Sequence, residues 1–140
     1  MYVEQIDFGE GGKLRNVCSG LVKFVSLEQM QNRMIVGLCN LKPTKLRGVL
    51  SEAMVMCAST PDKVEILDVP AGAQPGDRVT VAGFEGTPVA ELNQKNNIFG
   101  IVAPDLNVNG SLVATYKGVP MEIKGKGPIK SATLTNVPVK

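Results

Sequence analysis

Three cations stand close together in a stretch pinned at both ends. Lys42, Lys45 and Arg47 lie between Asn40 and Ser51, framed by Pro43 and Gly48. Pro43 biases Lys42 toward an extended conformation, and Gly48 allows a sharp bend. A loop stiffened in this way presents positive charge at little entropic cost. Phosphate is the target that suits it, with lysine as a point charge and arginine as a bidentate donor. An ordinary solvated basic loop is the plainer reading of the same spacing.

Other chemistry is narrowed by composition. The 140 residues contain no histidine, which removes His-based triads, His acid–base catalysis and most catalytic zinc sites. Cys18, Cys39 and Cys57 are odd in number and widely spaced, forming neither a CxxC pair nor a disulfide framework. Each sits among apolar residues, so they read as small buried hydrophobes in a reducing compartment. No Walker lysine motif, dinucleotide glycine motif or GxSxG is present. Gly125-Lys126-Gly127 reads as a flexible loop, and Asn109-Gly110-Ser111 as a turn rather than a glycosylation site. The expectation is a non-enzyme with no cofactor and no metal.

Charge is unevenly spread. The net charge is +2, yet residues 13–47 carry seven cations against Glu28 alone, a net +6. Residues 61–105 are acidic at −4, and residues 106–140 return to +4. Two basic segments around an acidic one favour a polyanionic partner more than the total does. The longest unbroken apolar run, residues 53–58, is too short to span a membrane. Glu4, Asp7 and Glu10 stand where a secretory leader needs basic and then apolar residues, so a cytoplasmic chain is expected.

The elements that must hold the basic loop are short and mostly extended. Residues 2–8 read as a strand with Tyr2, Ile6 and Phe8 on one face, and residues 16–21 as a second. Ser26 is placed to cap one helical turn. Residues 34–39 form a continuous apolar run suited to a strand buried on both faces, and residues 49–58 and 64–69 are extended. The run 70–77, with Pro70, Pro75 and Gly76, is the strongest internal boundary. Beyond it, residues 78–82 alternate, Thr87-Pro88 opens a short helix, and residues 97–103 form another, stopped by Pro104. Residues 111–116 and 119–124 make a hairpin around Lys117-Gly118, followed by a mobile basic tail. Fifteen glycines and nine prolines, with a turn every few residues, fit a small mainly β barrel.

The order of these pieces resembles one family. Residues 18–25, 27–34, 38–43, 45–48 and 51–54 are similar to the tRNA-binding domain of the endothelial monocyte-activating polypeptide II type. That domain is found at the C-terminus of some methionyl-, tyrosyl- and lysyl-tRNA synthetases and on a synthetase-complex cofactor. The similarity continues through Pro75-Gly76-Asp77-Arg78, Pro104-Asp105-Leu106, residues 113–120 and Lys124-Gly125-Lys126-Gly127.

The resemblance implies an OB-fold barrel over 1–69. A small α+β subdomain over 70–140 packs on it and mimics a dimer interface, leaving a monomer. It implies non-catalytic binding of tRNA by shape near its outer corner, with a synthetase or multi-synthetase complex as partner. Asn40, Lys42, Lys45, Arg47, Ser51 and Met54 match the family's binding positions, and Lys23 and Arg33 join them on charge grounds. A released, cytokine-like signalling fragment is the alternative. Two departures qualify the match. The family has a further barrel strand upstream of Tyr2, carrying its signalling heptapeptide, so an exposed edge and strand exchange with a second copy are expected. The segment 92–99, usually lysine-rich, keeps only Lys95, which puts phosphate contact there in doubt.

Overall fold

The computed structural model describes residues 1–92 and 97–140; the expectation for Lys95 lies outside the described residues. The fold is mainly β. Strands β1 (Tyr2–Glu10) and β2 (Lys13–Ser19) form an antiparallel hairpin. Along β1 the residues Tyr2, Glu4, Ile6 and Phe8 turn inward while Val3, Gln5 and Asp7 are exposed, the period of two that the sequence predicts. Helix α1 (Leu27–Met30) is a single turn. Ser26 caps it: its hydroxyl accepts the Gln29 N–H, and the Gln29 side chain accepts the Ser26 N–H in return.

Next come β3 (Gly37–Leu38), β4 (Thr44–Leu46), β5 (Val49–Ser51), β6 (Met54–Val55), β7 (Cys57–Ser59) and β8 (Val64–Ile66). They pair as β3 with β6, β4 with β5, and β7 with β8, all antiparallel. The second half holds β9 (Thr80–Val81), α2 (Ile98–Val102), a 3₁₀ turn (Ala103–Asp105), β10 (Leu106–Val108), β11 (Ala114–Tyr116), β12 (Val119–Ile123), β13 (Gly127–Pro128) and β14 (Val137–Pro138). These strands build one sheet in the order β13-β12-β11-β10-β14, with β9 on β12.

Several expectations change. The apolar run 34–39 is not a strand buried on both faces: only Gly37–Leu38 is extended in a ladder, and Val36 alone is fully buried. The ring of Phe8 lies on Gly37, where an added Cβ would sit 2.4 Å from it, and among the described residues β3 pairs only on its β6 side. The predicted strand 49–58 is broken into three, because Glu52 and Ala53 turn the chain between ladders. There the Glu52 N–H bonds the Asn16 carbonyl at 2.8 Å, and the Met56 N–H bonds Val36 at 2.8 Å. No helix follows Thr87-Pro88 among the described residues. Asn40 takes the backbone groups that a helix would use, through its side chain on the Val89 carbonyl and its own carbonyl on the Leu92 N–H. The basic tail is not left free: β13 pairs with β12, and the Lys126 ammonium meets Asp77 at 2.5 Å.

Two apolar clusters hold the molecule. One, built on Val17, Leu21, Val25, Val55, Cys57 and Ile66, lies within the first half. The other joins Val36, Met56, Ala58 and Leu67 to Leu106, Val108, Ala114, Ile129 and Val139 of the second half. Backbone bonds cross the same seam: Lys140 to Cys57 at 2.8 Å, and Asp68 and Lys130 reciprocally at 2.7 and 3.0 Å. Burial pushes the Cys57 thiol up to about 11 and raises that of Cys39, which is half-buried rather than buried as expected. Burial thus disfavours the thiolate form of both.

Between β1 and β3 lies an open cleft of about 1260 Å³, lined by Ile6, Phe8, Met30, Ile35 and Val36 among others. Among the described residues, β1 pairs only with β2, and β3 only with β6. Each therefore turns an unpaired edge outward, and no described ladder closes into a barrel. Glu4 faces this cleft with one carboxylate oxygen on the Ser19 hydroxyl and the other buried without a partner; burial raises its pKa.

Candidate nucleic-acid interface

The basic loop is a two-stranded hairpin. β4 and β5 pair Thr44 with Ser51, Lys45 with Leu50 and Leu46 with Val49, which leaves Arg47 and Gly48 as a two-residue turn. Their φ angles are 51° and 81°. Two consecutive positive values belong to the type I′ turn, whose right-handed twist matches that of the strands. Gly48 adopts this conformation freely; Arg47 does so at a cost of about 1 kcal/mol. A strained arginine is thus held at the outermost point of the hairpin.

At the foot of the hairpin, Ser51 is buried and accepts the Cys18 N–H, anchoring β5 against β2. Strand alternation sends Thr44 and Leu46 to one face and Lys45 to the other. Lys42, Lys45 and Arg47 are exposed and form no ion pair with any described residue. Lys23 is also exposed and unpaired, in the turn after β2 between the exposed Val22 and Phe24.

The remaining predicted residues do different work. Arg33 binds Asp68 at 3.3 Å and the Met34 carbonyl at 3.1 Å, on the rim of the large cleft. Asn40 ties the start of the loop to the segment around Val89, as described above. Met54 is half-buried in β6, beside Leu38, and packs against the larger core. The structure therefore brings Lys42, Lys45, Arg47, Ser51 and Met54 together around one hairpin and sets Lys23, Arg33 and Asn40 apart from it.

Counting charge along the sequence overstates the free cations. Arg15 clamps Glu10 at 2.7 Å, donates to the carbonyls of Cys39 and Glu52 at 2.8 and 3.1 Å, and lies 5.6 Å over the Phe8 ring. It is a structural pin. Lys13, at the tip of the β1–β2 hairpin, was not singled out, yet it is exposed and has no ion pair among the described residues. Its signal was its place beside the Gly11-Gly12 turn.

The β4–β5 hairpin thus presents cations with no ion pair among the described residues, over a mainly β fold, and a surface of that kind suits a polyanion. Comparison with known proteins agrees. Residues 1–78 match the family model described as "Putative tRNA binding domain", and the chain belongs to that family of binding domains. All 140 residues align at 58% identity with the "Aminoacyl tRNA synthase complex-interacting multifunctional protein 1" of Mus musculus, of which they span 45%. They also align at 51% identity with the cytoplasmic methionine–tRNA ligase of Caenorhabditis elegans, spanning 15% of it. Among solved structures, the C-terminal domain of Plasmodium vivax p43 superposes with a TM-score of 0.90 at 30% identity, over 99% of this chain and 84% of that one. The chain thus spans less than half the length of these two curated relatives.

Proposed function

We propose that this chain is the non-catalytic tRNA-binding part of a cytoplasmic aminoacyl-tRNA synthetase or of a synthetase-complex cofactor. It grips tRNA through Lys42, Lys45 and Arg47, with Lys13 and Lys23 as flanking contacts. The carrying observation is Arg47, held in a left-handed conformation at the hairpin tip with no acidic partner among the described residues. Residues 1–69 form an incomplete OB-type barrel in this reading, and residues 70–140 a subdomain that covers it. A-form RNA hides its base edges in a deep groove, so such a surface reads phosphate, 2′-OH and shape rather than sequence. No observation favours the signalling fragment.

Salt titration of tRNA binding tests the reading. With about five phosphates contacted, log K falls against log salt with a slope of about −4, and each cation replaced by alanine flattens it by about one. Affinity independent of salt, or a Lys42→Ala/Lys45→Ala/Arg47→Ala variant that binds like the parent, overturns it.

A further inference from the structure

A second, smaller cavity opens at the foot of the basic hairpin. It holds about 160 Å³ and is lined by Cys18, Leu41, Lys42, Thr44, Leu46, Ser51, Ala53 and Met54. A water molecule's share of liquid is about 30 Å³, so the space admits one ring system and not a base pair. Its walls are mostly apolar. The buried hydroxyl in it, that of Ser51, is already spent on the Cys18 N–H and the Ala53 carbonyl. Lys42 stands at the rim with no ion pair among the described residues.

The hairpin also carries apolar surface that phosphate binding does not need. Leu46, which lines the pocket, is 43% exposed beside Lys45 and Arg47 in the chain. A ligand that matches both features has flat apolar faces and an attached phosphate. In a duplex the base faces are covered by their neighbours; an unpaired nucleotide offers them.

We propose that this pocket receives one unpaired nucleobase of an RNA whose phosphates the hairpin cations hold. The proposal rests on the RNA-binding reading above and narrows its ligand from folded RNA in general to RNA with a nucleotide out of the stack. Leu46 and Met54 supply the apolar contact, and Lys42 meets the phosphate of the same nucleotide. Lys45, on the opposite face of β4, contacts backbone only. Because the Ser51 hydroxyl is satisfied internally, the base is held chiefly by its faces, with Thr44 as the other hydroxyl in the lining.

The test uses three RNA hairpins with the same stem: fully paired, with a single bulged 2-aminopurine nucleotide, and with a bulged abasic nucleotide in its place. The last two carry equal charge. The expected result is about fivefold tighter binding of the 2-aminopurine RNA than of the abasic one, with a change in 2-aminopurine fluorescence on binding. Leu46→Ser, a change at an exposed residue, removes both effects, whereas Ile101→Ser, also exposed but outside the pocket lining, removes neither. Lys45→Ala weakens all three RNAs alike. Equal binding of the bulged and abasic RNAs, or a fluorescence change that survives Leu46→Ser, overturns the pocket proposal and leaves the RNA reading standing. Failure of all three RNAs to bind while tRNA still binds overturns the pocket proposal alone; failure of tRNA as well overturns both.

Discussion

The hydroxyl of Ser51 accepts the Cys18 N–H at 2.9 Å and donates to the Ala53 carbonyl at 3.2 Å. One buried side chain thus fastens the basic hairpin to β2 and fixes the turn into β6. Both bonds hold the hairpin that carries the cations in place. Ser51→Ala leaves a buried N–H unsatisfied, so a loss of about 1–2 kcal/mol is expected in urea unfolding. The salt slope of tRNA binding stays that of the parent, because no phosphate contact is removed. A flattened slope with unchanged stability would place Ser51 on the RNA instead.

Arg47 separates strain from charge. Its φ of 51° precedes Gly48 at 81°, a pair of positions that Asn-Gly fills best. Arg47→Asn is expected to stabilise the domain by about 0.5–1 kcal/mol, since asparagine tolerates the left-handed region. The same change is expected to weaken tRNA binding and flatten the salt slope by about one. Gain in one measurement and loss in the other is the signature of strain held at a binding residue. A variant that is less stable and binds equally well would remove Arg47 from the interface.

The basic loop was legible in the sequence, though not its pairing as a hairpin. Pro43, Gly48 and the three cations marked a stiff basic loop, and Lys117-Gly118 marked a second hairpin, which has the same positive-φ turn at 50° and 79°. The capped turn at Ser26 was equally local. What escaped the sequence was long-range. Nothing local says that Arg15 spends its guanidinium on Glu10 and two carbonyls, or that Asn40 bonds a segment some fifty residues away. The run 34–39 read as a buried strand because every residue in it but Gly37 is apolar. Which strand edges find a partner is decided by tertiary pairing that periodicity does not encode.

Glu65 makes a latch between the halves. Its carboxylate accepts the Thr133 hydroxyl at 2.6 Å and the N–H groups of Thr133 and Leu134 at 2.9 Å each, with Lys63 at 3.4 Å. Burial opposes its ionisation, but these donors outweigh it and hold the carboxyl down at about 2. A depressed folded pKa contributes stability that is present above the unfolded value and is lost as pH falls toward the folded one. Stability is therefore expected to decline as pH drops from about 5 to about 2, by on the order of 2 kcal/mol from this group. Glu65→Gln flattens that decline in acid unfolding, with tRNA affinity at neutral pH unchanged. An acid profile identical to the parent's would mean the latch is not formed.

The last expectation concerns the free edges beside the cleft. Among the described residues β1 pairs on the β2 side only, and in an antiparallel strand every second residue directs both N–H and C=O to the other side. Val3, 55% exposed, stands on the outer face of that strand, and Ile6 and Phe8 on the cleft face. A long unpaired edge with apolar neighbours is a template for a further strand. The 140-residue chain is therefore expected to associate as its concentration rises, with mass by light scattering growing above that of the monomer. Val3→Lys places a charge at the edge, the device by which natural sheets resist such pairing, and lowers association severalfold without touching the basic hairpin. tRNA affinity measured at low protein concentration stays unchanged in that variant. A chain that remains monomeric at every concentration, with Val3→Lys indistinguishable from the parent, would show that the cleft closes without help from another strand.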